Sequence, residues 1–294
     1  MVKNHSLLEK LGGVLNVVLL AVVGLLMLFP FYYMIATSFT SAAESATKTF
    51  VLFPKRWVFD AYSYIFHSKV FVRSLFVTAG VTVVGSVFSL LLTSMMAYPL
   101  SRNITGQRFY LFLVLFTFVF GAGIIPTYMV VKSTHLIDTY WALIIPGAIN
   151  SFNLIVLRQF FLGIPNDLTE AAVLDGANDL QIFTRIILPL SKPALAAFGL
   201  FYAVTSWNTY FNALIYINDP TKWTVQVILR QIVILSQRLD SLSDGQQAAI
   251  ASASPPGETI GMAAILIATL PILALYPFLQ KHFAKGVMLG SVKG

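Results

Sequence analysis

The chain has 294 residues, of which 57% are hydrophobic and 11% charged, against roughly 25% charged in an average soluble domain. Charge-free runs long enough to cross a bilayer as helices take up about half of it, leaving no room outside them for a soluble catalytic domain. The net charge of +7 is scattered singly over loops and span ends, which suits anionic lipid headgroups rather than nucleic acid, and the absence of cysteine excludes disulfide, thiolate and iron–sulfur chemistry.

The runs cover residues 11–43, 74–101, 109–131, 139–157, 193–218 and 259–280. They predict an all-α membrane protein of six transmembrane helices (11–36, 74–101, 109–131, 139–157, 193–218 and 259–280) in one domain covering 1–294. Around the first run, Lys3, Lys10 and Ser41-Ala42-Ala43 outline a cleavable leader. The apolar stretch is far longer than the 7–15 residues of a leader core, so a retained span is expected. Pro30, Pro126, Pro146 and Pro271 lie within runs, where each removes a backbone donor and can kink its helix. Residues 132–138 read as a short turn. In the long loop 219–258, residues 223–235 suit an interfacial helix, and 236–258 an exposed polar loop ending in Pro255-Pro256-Gly257. Six spans put both termini on one side, and the Lys and Arg content weakly favours the cytoplasm for that side. His5, His67, His135 and His282 are far apart and outside the spans, so no metal site is expected.

The segment 158–192 is the most informative. Asp167, with Glu170 three residues on, makes a capping-box-like start, and Leu168, Ala171 and Ala172 recur at helical spacing. Gly176 can then turn the chain in a left-handed conformation, Asn178 or Asp179 can cap a second helix, and Pro189 precedes the fifth span. The expected product is a helix-turn-helix on the membrane surface, with small Ala171 and Ala172 admitting a close neighbour.

At Glu170-Ala171-Ala172, Asp175-Gly176-Ala177 and Ile187-Leu188-Pro189 the chain resembles the EAA loop of ABC-importer permeases. Similarity to the permeases of maltose-type carbohydrate importers extends over nearly the whole chain. Its landmarks are Phe29-Pro30-Phe31, Thr37-Ser38-Phe39, Ile125-Pro126-Thr127-Tyr128, 141–146, Ser206-Trp207-Asn208 and the closing 286–294, which resembles the branch importing plant or algal oligosaccharides. The resemblance implies a type I importer permease fold in the bacterial inner membrane, with cytoplasmic termini and a cytoplasmic coupling loop. It implies as partners a second permease, two ATPase subunits docking on 158–192, and an extracytoplasmic solute-binding protein. It also implies a coupling role for Asp167, Glu170, Ala171, Ala172, Asp175, Gly176, Ala177 and Pro189, and an ATPase contact for the tail 286–294. The cargo would be an oligosaccharide, acidic uronate oligosaccharides such as those of alginate or pectin included.

The residues themselves fit such a role. The runs hold no Lys, Arg, Asp, Glu or His, which leaves ion coupling little to work with. There is no G-x-x-x-x-G-K-[ST] loop, so no cofactor is expected on this chain, and ATP and Mg belong to a separate ATPase. Tyr202, Thr205, Thr209, Asn212 and Tyr216 recur at spacings of three and four, with Asn208 beside them and Asn150 and Asn153 in the fourth run. Such amides, hydroxyls and rings suit a sugar path, since hydroxyls need hydrogen-bond partners and C–H faces pack on rings. A permease for a non-sugar solute and a membrane enzyme acting on lipid-linked sugars are the alternatives. The enzyme needs a paired carboxylate or a metal cluster, and the one acidic group, Asp167, Glu170, Asp175 and Asp179, has the spacing of a docking helix.

Overall fold

A computed structural model describes residues 7–45, 50–240 and 256–290. Its main helices are α1 (Leu7–Ser38), α2 (Asp60–His67), α3 (Lys69–Leu100), α4 (Gln107–Val119), α5 (Ile124–Ser133), α6 (Trp141–Ile144), α7 (Ser151–Leu162), α8 (Asn166–Leu174), α9 (Asp179–Ile182), α10 (Lys192–Trp207), α11 (Phe211–Tyr216), α12 (Val225–Asp240) and α13 (Gly257–Gly290). Three segments are unbroken helices long and apolar enough to cross a membrane: 12–38, 69–100 and 257–275. Three bent pairs bring the number to six when each pair is one span.

One bend sits at a glycine turn, and the other two adjoin prolines. The α4 and α5 axes differ by 115° across 120–123, where Gly123 has φ +80°, a region costly for any residue with a Cβ. Pro126, expected to kink this run, instead sits in the first turn of α5, where its missing N–H is not needed. The 56° bend of the fourth run follows a 3₁₀ turn at Ile145–Gly147 containing Pro146, and Asn150 restarts the helix by accepting the Asn153 N–H at 3.1 Å. The third pair, Asp179–Leu190 and Lys192–Trp207, bends by 83° at Ser191. Pro30 and Pro271 lie inside α1 and α13, which run on through them.

Contacts divide the chain into two compact units. The first covers Met1–Lys69 and Leu229–Ala268. In it, aromatic rings fold the segment after α1 onto that helix: Phe50 stacks on Tyr33 with centroids 4.9 Å apart, and Phe39 packs on Tyr62, Phe59 and Trp57. Glu44 is buried there and accepts the Lys55 N–H at 2.9 Å.

The second unit covers Val70–Ile228 and Thr269–Gly294. Ser74, Thr78, Thr82, Ser86, Ser89 and Thr93 form a buried row along α3. Several of these hydroxyls donate to a carbonyl three or four residues back, such as Ser74 to Phe71 and Thr78 to Ser74, which satisfies them in apolar surroundings. Their small size admits close neighbours: a Cβ on Gly85 would lie 3.4 Å from both Ile144 of α6 and Ser206 of α10. The expected helix in 223–235 forms as α12, and its start is packed inside protein, with Val225, Val227 and Ile228 buried. The Val225 N–H is taken by Thr78 Oγ1 at 2.8 Å.

Candidate functional site: a docking loop and a polar knot

The segment after α7 folds as helix, turn, helix. α8 begins two residues earlier than the capping-box reading requires. Pro165 is its N-cap and supplies no side-chain acceptor, so Asp167 lies in the first turn, where a carboxylate favours the positive end of the helix, and does not cap. Gly176 has φ +81°, the left-handed turn expected of it. Asn178 caps α9 in a reciprocal capping box with Gln181, both bonds 2.9 Å. The chain continues through a π turn (Phe183–Ile187) and Leu188–Leu190, which contains Pro189, to the 83° bend.

This element has two faces. Ala172 and Ala177 pack on a core of Leu157, Phe161, Ile182, Phe183 and Ile187. Asp167, Leu168, Glu170, Ala171, Val173, Asp175 and Gly176 face outward, and Leu174 is 88% exposed at the tip. The short helix therefore presents leucine and carboxylates outward while two alanines hold it from behind.

The expected row of path residues is divided. α10 ends at Trp207, and 208–210 separate it from α11, so Tyr202 and Thr205 share no continuous helical face with Thr209, Asn212 and Tyr216. Tyr202 is buried and knots three helices: its hydroxyl pairs with Thr93 Oγ1 of α3 at 2.7 Å and accepts the Asn150 N–H at 3.2 Å. Asn153 is buried one turn further on. Tyr216 is buried with Val131 and Ala142, its ring stacked 6.2 Å from Tyr128. Tyr202, Asn153 and Tyr216 therefore serve packing in this conformation, while Asn150, Thr205, Asn208 and Asn212 stay exposed. Thr205 bonds back to Phe201 O at 2.8 Å. The break after Trp207 is itself satisfied, because Thr224 Oγ1 donates to Thr209 O at 2.9 Å and Gln226 Nε2 reaches Asn208 Oδ1 at 3.5 Å.

Sequence reasoning missed a polar clip beside this break. Asp138, at φ +61°, accepts the N–H groups of Asn218 and Asp219 and the Lys222 ammonium at 2.9–3.1 Å, and Lys222 also bonds the Asp138 carbonyl. The Lys222 hydrogen bond and the Asp219 N–H hold the Asp138 carboxyl below its ordinary range. Thr221 does the same for Asp219 through its hydroxyl and N–H, and Asp138 pushes Lys222 up. The signal available was two acids within reach of a lysine across loops that the apolar runs leave unpaired. The end of α3 was missed as well. Leu100 O accepts from both Arg158 Nε at 2.6 Å and Gln107 Nε2 at 2.8 Å, cations being favoured at a helix C-terminus. The tail 286–294 is helical to residue 290, and 291–294 lie outside the described residues.

Six apolar segments, three of them bent pairs, with an exposed short helix before the fifth, describe a polytopic membrane protein. The chain belongs to the family of binding-protein-dependent transport system inner membrane components, whose family model matches residues 6–289. Its role in that family is transport and not catalysis. It is 51% identical over 286 residues (97% of this chain, 96% of the relative) to protein LplC of Bacillus subtilis strain 168. It is 53% identical over 272 residues (92% and 94%) to the polygalacturonan/rhamnogalacturonan transport system permease protein YtcP of the same organism. Among solved structures, it matches a chain of a bacterial ABC transporter involved in the import of the acidic polysaccharide alginate with a TM-score of 0.87 and 35% identity, covering 95% of this chain and 99% of that one. The all-helical permease fold of an ABC importer is thereby shown.

Proposed function

We propose that the chain is one of two permease subunits that carry an oligosaccharide, an acidic uronate oligosaccharide included, across the bacterial inner membrane by alternating access. The observation that carries the energetic half of this reading is the exposed surface of α8, anchored from behind by Ala172 and Ala177. Two ATPase subunits hold ATP and Mg, and one docks on 158–192 through Asp167, Glu170, Asp175 and Leu174. When they close, α8 moves and the bent spans switch the access side. This places the loop and both termini in the cytoplasm. A binding protein delivers the solute from outside. The substrate half is supported by similarity to a polygalacturonan/rhamnogalacturonan permease and to an alginate importer. Thr205, Asn208 and Asn212, with Gln226 added, present amides and hydroxyls where α10 breaks, and they are assigned to the path.

The test reconstitutes the complex in vesicles and measures ATPase stimulation by binding protein loaded with neutral and acidic oligosaccharides. Stimulation by galacturonate or alginate oligosaccharides is expected, and stimulation by an amino acid or peptide alone overturns the sugar assignment. Thr205→Leu and Asn212→Leu should slow uptake about tenfold while assembly stays normal, the scale of one or two lost polar contacts. Normal rates in both remove these residues from the path.

A further inference from the structure

Arg102 lies two residues past the end of α3, and its guanidinium reaches the start of α8. Nη1 donates to Asn166 Oδ1 and to Thr169 Oγ1, each at 3.2 Å. The guanidinium carbon lies 5.3 Å over the ring of Tyr98, in the last turn of α3. That ring packs 5.2 Å from Phe183, on the second arm of the helix-turn-helix. One side chain thus joins α3 to the first turn of α8 from a ring that touches the other arm.

We propose that Arg102 is a positioning residue through which α8 drives α3, an inference that rests on the reading that α8 meets the ATPase. Displacing α8 moves Asn166 and Thr169, and Arg102 carries the displacement into α3. From there Thr93 passes it to Tyr202 of α10 and to the start of α7 at Asn150. Without the link, the ATPase subunits can close without moving the spans, so hydrolysis runs free of transport.

The test uses the reconstituted complex and a double-mutant cycle, which measures coupling where spatial adjacency alone does not. Arg102→Met keeps the apolar stem and removes the donors; Asn166→Ala with Thr169→Val removes the acceptors. Each should raise ATPase activity in the absence of binding protein about fivefold, the lower range of allosteric coupling. The combined variant should be no worse than either alone, and Arg102→Lys should bring the rate back toward wild type. A wild-type rate in assembled Arg102→Met, or effects that multiply in the combined variant, overturns the proposal. If Arg102→Met does not assemble, the acceptor variant decides alone, a wild-type rate overturning the link. These rates are read without sugar, so failure of every acidic oligosaccharide to stimulate the wild-type complex counts against the substrate reading and leaves the Arg102 link standing.

Discussion

Gly176 turns the helix-turn-helix at φ +81°, and a Cβ there would meet nothing within 4 Å. The demand is therefore on the backbone alone, and a side chain costs roughly 1–2 kcal/mol of left-handed strain. Gly176→Val is expected to tilt α8 against its docking partner and to raise the ATP consumed per solute imported; an unchanged ratio in vesicles would show that the turn carries no coupling. Asn178→Ala removes a capping box and should lower stability by about 1 kcal/mol, read by thermal unfolding in detergent. Both residues were legible in the sequence because turn and cap chemistry is local. Asp167 was misread as a cap for a related reason: a carboxylate three residues before a glutamate looks alike whether the helix starts beside it or at the preceding proline. Arg102 was illegible, since its partners are 64 and 67 residues away in the chain.

At the scale of helices, hydropathy located six runs and structure found three of them broken. Apolar residues look the same on either side of a bend, so runs mark membrane passage and say little about where the helix stops. The stops lie at Gly123, at Ala148–Asn150, at Ser191 and after Trp207; a left-handed glycine turns the first, Pro146 precedes the second, and Pro189 and Pro193 flank the third. The hydroxyl row of α3 could have been read from Ser74, Thr78, Thr82, Ser86 and Thr93 recurring on one face, but hydroxyls that bond their own helix leave the hydropathy of the run almost unchanged. Thr93 differs from the rest of the row in bonding across to Tyr202 of α10. Tyr202→Phe strips Thr93 Oγ1 and the Asn150 N–H of their partner and should destabilise the protein by about 1–3 kcal/mol, measured by thermal unfolding. A loss below about 0.5 kcal/mol, the scatter of a surface change, would mean that the knot is not what holds α3, α7 and α10 together.

Across the second unit, the Asp138–Lys222 clip joins the 132–138 turn to the segment before α12. Its pH dependence follows from the directions of its three shifts. Asp138 and Asp219 are lowered in the folded state, so their stabilisation is present above the ordinary carboxylate range and is lost as pH falls through their depressed folded values. Lys222 is raised, so its stabilisation is present below the ordinary lysine value and is lost as pH rises through the higher folded one. Unfolding temperature should be level near neutrality and fall at both extremes, and Asp138→Asn should reduce both falls. An unchanged profile in that variant would place the pH sensitivity elsewhere.

The carbonyl that closes α3 gives the molecule an order of assembly. Leu100 O has one partner, Gln107, seven residues downstream and another, Arg158, fifty-eight residues downstream. A ribosome therefore delivers the second helix of the chain's hydrophobic series well before the arginine that completes it, and α3 waits half-capped while α4 to α7 emerge. Nascent chains halted before Arg158 should leave this end open to proteases and chaperones, whereas those halted beyond it should seal the joint. Closure of this helix end thus waits on a side chain that is made only with α7.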